Sequence, residues 1–562
     1  MKQWLLCLGT SLAAFGVYCL KRARNTKGLP PGPKPWPLLG NIGDFPPPGT
    51  PEHEHWSRHK DLYGPISSVT VAGATLILVH DARVAHELLD KNARRTSGRP
   101  EMVMANKLCG FEFIAVCLTC DGPIFRRYRR LMHQELGTKT SSARFQDVQE
   151  AEVGRQLLRV LKDPRRLDDH YDATSTSMIL RMTYGYNIQP DQPDTLVSLV
   201  KQTLLDFSLA ASPMFWAVDL IPALQYLPDN FPGASFKQSA RKWRKNSQAS
   251  AYVPYNFVRS QMASRPGTRP SSYVSKLVET LSSSPSVSSE RSNDKINSDK
   301  DNRSGKEILD REDEHAIIWT AASLFGAGSD TSAMTMRIFT FAMIKFPHVQ
   351  SRAQAEIDRV VGSSRLPGFQ DREELPYVNA LLKETLRWWP VAAMGFPHTV
   401  TEGFEYKDYW MPKGAVILPN VFCMLRDPAV YARPHEFEPK RFLESRLEPD
   451  PRDEAFGFGR RVCPGRFFAE ASLYLNMAQM LAVFRMSRVL GSDGHEVGVE
   501  ALDHVSIKPG VLAHPTDFEC RVMPRSEQHV QLIRELERRF PFAPGDAGKL
   551  ALLDDAKPGH FV

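Results

Sequence analysis

Two short β-prone runs, residues 66–71 (ISSVTV) and 74–79 (ATLILV), flank Ala72-Gly73, and that arrangement predicts a hairpin. Asp81 then reads as an N-cap, and from there to about residue 390 the apolar positions recur at helical spacing. Residues 466–486 predict a further helix. Residues 527–540 (EQHVQLIRELERRF) predict an amphipathic one, leading into a Gly/Pro-containing tail whose role the sequence does not reveal. The pattern lapses over 282–306, which is polar, Ser-rich and aperiodic, and so predicts a solvated, disordered, protease-sensitive insertion. There is no internal repeat. The expected architecture is mainly α with a minor β portion.

The longest uncharged apolar run is at the start. Residues 4–20 read WLLCLGTSLAAFGVYCL and are followed at once by Lys21, Arg22 and Arg24. A run at the short end of the ~17–25 residues that span a bilayer suits the thin endoplasmic reticulum membrane. The basic cluster occupies the place where a cleavage site would fall, which favours a retained anchor over a signal peptide. Residues 1–24 are thus expected to form a single-pass anchor in the endoplasmic reticulum membrane, with the body of the protein facing the cytosol. Residues 25–48 hold Leu29-Pro-Pro-Gly-Pro33, Pro35 and Pro37, a density that predicts a stiff, extended connector.

Composition narrows the picture further. With 562 residues, 42% of them hydrophobic and 24% charged, the chain can bury a large core. A net charge of +7 without clustered basic and aromatic residues gives no support to nucleic-acid binding; a mildly basic face toward an acidic protein or an anionic membrane fits better. Eight scattered cysteines make no disulfide framework, and Cys117 and Cys120 lack the second pair that a zinc site needs.

One cysteine stands apart. Phe456-Gly-Phe-Gly459-Arg-Arg461-Val-Cys463-Pro-Gly465 matches F-x-x-G-x-R-x-C-x-G at every fixed position. A glycine turn lets backbone approach a flat cofactor and leaves amide N–H groups free to face sulfur. A thiolate just ahead of a helix N-terminus is also favoured by the macrodipole.

With this loop the chain resembles the cytochrome P-450 superfamily, in which such a cysteine ligates haem iron. Four more segments resemble the family in its order. In Ala327-Gly-Ser-Asp330-Thr331-Ser332, inside a helical stretch, the resemblance gives Asp330 and Thr331 the delivery of protons, while small residues make room for dioxygen. In Lys383-Glu384-Thr-Leu-Arg387, Glu384 and Arg387 share a helix face, and the family joins them to an arginine that Pro439-Lys-Arg441-Phe442 supplies. Phe125-Arg-Arg-Tyr-Arg129 resembles the family's W-x-x-x-R helix with Phe125 in place of tryptophan, which leaves Arg129 for a haem propionate. Residues 390–398 (PVAAMGFPH) resemble the strand that lines the substrate pocket, with His398 on a propionate and Arg461 as a further propionate ligand. Residues 232–237 (PGASFK) and 511–515 (VLAHP) resemble fungal microsomal members, including those of secondary metabolism. Arg426 before Asp427-Pro428 and Lys440 in the arginine box depart from the pattern.

The resemblance implies one large haem domain over 49–526, an anchor before it and a tail over 527–562. It implies haem b (iron protoporphyrin IX) as cofactor, with Cys463 on the metal and Phe456 and Gly459 in the cofactor loop. The implied reaction inserts one oxygen atom from O2 into a small hydrophobic substrate. No flavin or nicotinamide motif is evident, so electrons are expected from a membrane-bound NADPH-dependent flavoprotein reductase. Arg126, Arg127, Arg130, Arg460 and Arg466 are candidates for the face it docks on. The rival readings are a reductase-independent haem-thiolate isomerase or dehydratase, and a non-catalytic haem protein. The acid–alcohol pair argues against the first, and the small residues of the Gly326–Gly328 stretch against the second.

Overall fold

The computed structural model describes residues 28–550, apart from 38, 48, 72, 119–121, 190–192, 212–214, 265–270, 284–308, 445 and 509. Its longer elements, in chain order, begin with α1 (Glu52–Tyr63), β1 (Ile66–Val71), β2 (Ala74–Val79), α2 (Pro123–Leu136), α3 (Gln146–Lys162), α4 (Leu167–Tyr184) and α5 (Thr195–Ala210). There follow α6 (Phe236–Ser264), α7 (Tyr273–Ser282), α8 (Arg311–Lys345), α9 (Pro347–Val360) and α10 (Pro376–Trp388). Next come β3 (His398–Thr399), β4 (Phe404–Tyr406), β5 (Tyr409–Met411), β6 (Val416–Pro419), α11 (Arg466–Val483), β7 (Phe484–Ser487), β8 (Arg521–Pro524) and α12 (Glu527–Arg539). The fold is mainly α with a minor β portion.

α8 is the spine. Its 35 residues open on Glu312, Asp313 and Glu314 and close on Lys345, charges that complement the helix dipole at both ends. Between them the helix is apolar on nearly every side, as a helix surrounded by others must be. It packs against α4 most extensively, and also against α2, α5, α6, α7 and α11. Gly328 permits the α4 contact: a Cβ there would lie 2.6 Å from Ile179 Cδ1.

The hairpin forms where its pattern predicts, with Val71 opposite Ala74. β2 then pairs in parallel with β6, and β6 antiparallel with β3, giving the order β1-β2-β6-β3. This sheet sets His398 opposite Ile417. The proline-rich segment is sewn to its edge: the Ser68 N–H and hydroxyl donate to the carbonyls of Pro31 and Pro30 (2.8 and 2.6 Å), and the Thr70 N–H donates to Asn41 Oδ1 at 2.9 Å.

α12 packs on α3 and buries His529, Ile533 and Leu536. Beyond it, Arg155 Nη2 donates to the Pro541 carbonyl (2.6 Å) and the Asn187 N–H to Asp546 (2.9 Å). The tail up to Leu550 is therefore a strap over α3 and α4, a packing role that the sequence left open.

Two expectations are corrected. Among the described residues no helix is long and apolar enough to cross a membrane. Segment 1–24, on which the anchor was expected, lies outside those residues. The transmembrane anchor and the single-pass placement in the endoplasmic reticulum are accordingly dropped from the fold description. Nearly all of the insertion expected over 282–306 also lies outside the described residues, as does Cys120 of the C-x-x-C.

A buried histidine chain runs beneath the sheet. Ser67 Oγ lies 3.0 Å from His59 Nδ1 and 3.1 Å from His80 Nε2. Burial pushes the His80 pKa down to about 3 and the His59 pKa to about 4, with neighbouring positive charge adding to both. Both rings are therefore neutral in the fold, whereas unfolded histidine titrates near 6.5. The unfolded chain takes up these protons first, so the contribution is complete above pH ~6.5 and is lost as pH falls toward the folded values. The slope reaches about 1.4 kcal/mol per pH unit per histidine. Thermal midpoints should drop between pH 7 and pH 5, and less steeply in a His59→Gln/His80→Gln variant. Parallel pH profiles in the two proteins would refute this origin.

Candidate active site

The cysteine loop is held by its own backbone. The Cys463 N–H donates to the Phe456 carbonyl at 2.8 Å, which closes the turn, and Gly457 has φ 78°. Gly459 combines φ 51° with a close approach: a Cβ would stand 2.3 Å from the Leu89 carbonyl oxygen. No side chain fits there. α11 starts at Arg466, three residues after the half-buried cysteine. Burial raises the thiol pKa, opposed first by the Gly465 N–H on sulfur and then by the charges of Arg129 and Arg466.

Arg129 lies on α2, which packs against α8. It is half-buried and, among the described residues, has no hydrogen-bond or ion-pair partner. Loss of water lowers its pKa, and Cys463 pulls it back. A guanidinium kept from water with no counter-charge is a receptor for an anion.

Phe125, one turn earlier on α2, carries the Arg461 guanidinium 4.2 Å above its ring. Arg461 also donates to the carbonyls of Ser97 (2.9 Å), Ala115 (3.2 Å) and Leu118. The residue that replaces tryptophan is thus a platform for the loop's own arginine.

His398 is buried, and its Nδ1 lies 2.9 Å from the Thr96 carbonyl, so Nδ1 carries the hydrogen. Burial holds its pKa well below the ordinary histidine value, Arg99 and then Arg461 add to this, and the Thr96 bond opposes it. In that state Nε2 is an acceptor, and His398 must gain a proton before it can hold a carboxylate. Sequence reasoning missed Arg99. This buried residue donates to the carbonyls of Val116 (2.9 Å) and Pro397 (2.5 Å), tying the loop before α2 to the strand that carries His398. Its only signal was Ser97-Gly-Arg-Pro100, which has no side-chain spacing to read.

On α8, Ala327 is exposed in the middle of an otherwise packed helix, so open space lies beside it. Thr331, one turn on, donates from Oγ1 to the Ala327 carbonyl at 3.0 Å. The space is therefore at Ala327 and Thr331, and Gly328 serves the contact with α4. Asp330, next to Thr331 in the chain, has Oδ2 3.3 Å from His514 Nε2.

A separate, fully buried cluster stands behind the loop. Glu384 receives Arg387 through both carboxylate oxygens (2.7 and 2.9 Å), Arg441 Nε at 3.1 Å and the Glu438 N–H at 2.7 Å. The two arginines then bind the carbonyls of Leu425, Ala432, Pro434 and Glu436. Of the basic residues, Arg126, Arg130, Arg460 and Arg466 are exposed. Arg127 pairs instead with Glu312 (2.8 Å) and Asp313 at the start of α8.

A glycine loop carrying a half-buried thiol, and beside it Arg129, which interacts with that thiol's charge and has no ion-pair or hydrogen-bond partner among the described residues, fit an anionic cofactor bound through sulfur. The family profile for cytochrome P450 matches residues 30–496. The chain is 41% identical over 546 residues to cytochrome P450 monooxygenase CLM2 of Gibberella zeae, covering 97% of this chain and 98% of the relative. It is 42% identical over 517 residues to multifunctional cytochrome P450 monooxygenase af510 of Aspergillus fumigatus, covering 92% of each. The O-methylsterigmatocystin oxidoreductase of Aspergillus flavus is 34% identical over 547 residues, covering 97% of each. With thiol loop and buried carboxylate cluster in one chain of this ancestry, the protein belongs to the cytochrome P450 family and is a haem-dependent monooxygenase with haem b as its cofactor.

Proposed function

We propose that Cys463 is the axial ligand of haem iron, that Arg129 and Arg461 receive the propionates with Arg99 behind them, and that Asp330 and Thr331 bring protons to the distal side. The observation that carries this reading is that half-buried Cys463 and Arg129 act on each other's charge while Arg129 has no ion-pair or hydrogen-bond partner among the described residues. Bound there, haem supplies the iron at which dioxygen is reduced and its O–O bond broken, a cleavage that thiolate donation favours. The protein's own part is to oppose, through the Gly465 N–H and two arginine charges, the burial that raises the thiol pKa, to neutralise the propionates and to meter protons. His398 contributes only after taking up a proton, so it ranks behind the arginines.

The substrate is a small hydrophobic molecule of fungal secondary metabolism. Support comes from the uniformly fungal relatives quoted above, one of which is named for O-methylsterigmatocystin. Family membership implies a reductase partner, and the exposed Arg126, Arg130, Arg460 and Arg466 give an acidic, NADPH-dependent flavoprotein a face to dock on. Arg127 leaves that set.

The test is reconstitution with such a reductase: product formation should require both NADPH and O2. Turnover without NADPH would replace this reading with that of a peroxide- or oxime-rearranging enzyme. Thr331→Ala should keep its haem and consume NADPH while sending the electrons to hydrogen peroxide. Product per NADPH should fall by roughly tenfold to 10²-fold, up to the lower end of the effect of losing a positioned proton donor. Unchanged coupling would remove Thr331 from the mechanism.

A further inference from the structure

Asp330 has an imidazole partner that the acid–alcohol reading does not use. His514 Nε2 lies 3.3 Å from Asp330 Oδ2, and the two side chains are 42% and 22% exposed. Exposure thus falls from the imidazole to the carboxylate. His514 sits at the tip of a loop pinned on both flanks. The Ala513 N–H donates to the Val391 carbonyl (2.7 Å), in the segment before β3, and the Lys508 N–H donates to the His514 carbonyl (2.7 Å). Pro515 bridges to Ile507. The ring is therefore held in place by backbone.

The other charges nearby are already committed. Arg337, two turns along α8 from Asp330, feels its charge but binds Asp172 (2.5 Å) and Asp168 (3.4 Å). Lys508 pairs with Asp517 at 2.9 Å. Among the described residues, His514 is the side chain that both touches Asp330 and reaches solvent.

We infer that His514 is the solvent-side member of the proton relay, reloading Asp330 between proton deliveries. This rests on the reading of Asp330 and Thr331 as the inner pair. A proton on Nε2 passes to Oδ2, and from the carboxyl it moves inward by way of Thr331. The ring takes its replacement from bulk water. One proton crosses per delivery, and both side chains return to their starting state. His514 touches no substrate or cofactor; it is a positioning residue that acts through Asp330.

The experiment uses the haem-loaded enzyme with an NADPH-dependent flavoprotein reductase and no added substrate. NADPH, O2 and hydrogen peroxide are counted together. Full proton delivery reduces O2 to water at two NADPH per O2; failed delivery releases peroxide at one. His514→Ala should raise the peroxide share about three- to tenfold, short of the ~10²-fold effect of deleting a general acid, because water still reaches Asp330. The solvent deuterium isotope effect on NADPH oxidation should grow. His514→Lys should restore the water-forming stoichiometry. His514→Ala/Asp330→Asn should be no worse than Asp330→Asn alone, as expected of two members of one path. Hydrogen exchange over 510–516, which needs no turnover, should stay close to wild type in either single variant, because the bonds that pin the loop are backbone bonds.

If Asp330→Asn and Thr331→Ala release peroxide but His514→Ala matches wild type, the inference is overturned and the inner pair stands. If Asp330→Asn and Thr331→Ala both match wild type, the reading beneath it falls. Additive losses in the double variant, or no rescue by lysine, would make His514 a packing residue and overturn the inference as well.

Discussion

Cys463→Ser should give a folded protein whose reduced carbon monoxide complex lacks the strongly red-shifted Soret band of thiolate-ligated haem. The loop closure survives the change, because the bond that closes it runs from the backbone N–H of residue 463 to the Phe456 carbonyl. Gly459 still passes under the Leu89 carbonyl, and α11 still begins at Arg466. What disappears is the sulfur anion, and a serine hydroxyl does not ionise in its place. The Gly465 N–H and the charges of Arg129 and Arg466 act on the thiol's pKa, and a hydroxyl gives them nothing comparable to stabilise. The loss of oxygenase activity should exceed the ~10–100-fold cost of removing a group that merely hydrogen-bonds to a metal ligand. A red-shifted band that persisted in the variant would transfer the ligand role elsewhere, and no other described cysteine suits it. Cys109, Cys117 and Cys423 are buried, and burial pushes the thiols of Cys109, Cys117 and Cys520 up to about 12.

The cysteine loop and Glu384-x-x-Arg387 were legible because their chemistry is compressed into short spans where spacing alone fixes which groups meet. The helical bulk and the hairpin were legible for the same reason: periodicity is local. The unread parts depend on contacts between distant segments. Asp330 and His514 are far apart in the chain and meet only because the loop before β8 is tied to Val391. Arg99 and Arg461 act on backbone carbonyls, which every residue owns, so no side-chain pattern announces them. The isolation of Arg129 and the diversion of Arg127 to the start of α8 were equally invisible, since adjacent arginines on one helix look alike until their neighbours are known. The glycines near Asp330 did signal a constraint. Their meaning changed once Gly328 was seen against Ile179.

The second large effect falls on Glu384, which touches neither cofactor nor substrate. It is fully buried, as are Arg387 and Arg441, and among the described residues its carboxylate is the one negative group that both guanidinium groups share. Arg441 has a further carboxylate in Glu448 at 2.7 Å, whereas the other bonds of Arg387 go to carbonyls. Glu384→Ala therefore strands Arg387 as a buried cation without counter-charge, and it removes the acceptor of the Glu438 N–H. Breaking one side of such a network costs about 3–5 kcal/mol, a large part of the 5–15 kcal/mol that holds a typical domain folded. The carbonyls bound by these arginines belong to the segment 425–436, which leads into the cysteine loop, so the damage should appear as lost haem. Glu384→Ala should yield little or no holoprotein. Glu384→Gln keeps the shape and one acceptor oxygen, and should retain some haem at a lowered thermal midpoint. Arg441→Lys should fall between the two, because Glu448 still compensates its charge while the planar fork is gone. Haem per polypeptide and the thermal midpoint, measured across the three variants, separate these outcomes. Normal haem content in Glu384→Ala would mean that the segment before the cysteine holds its shape unaided, and the cluster would lose its place in the argument.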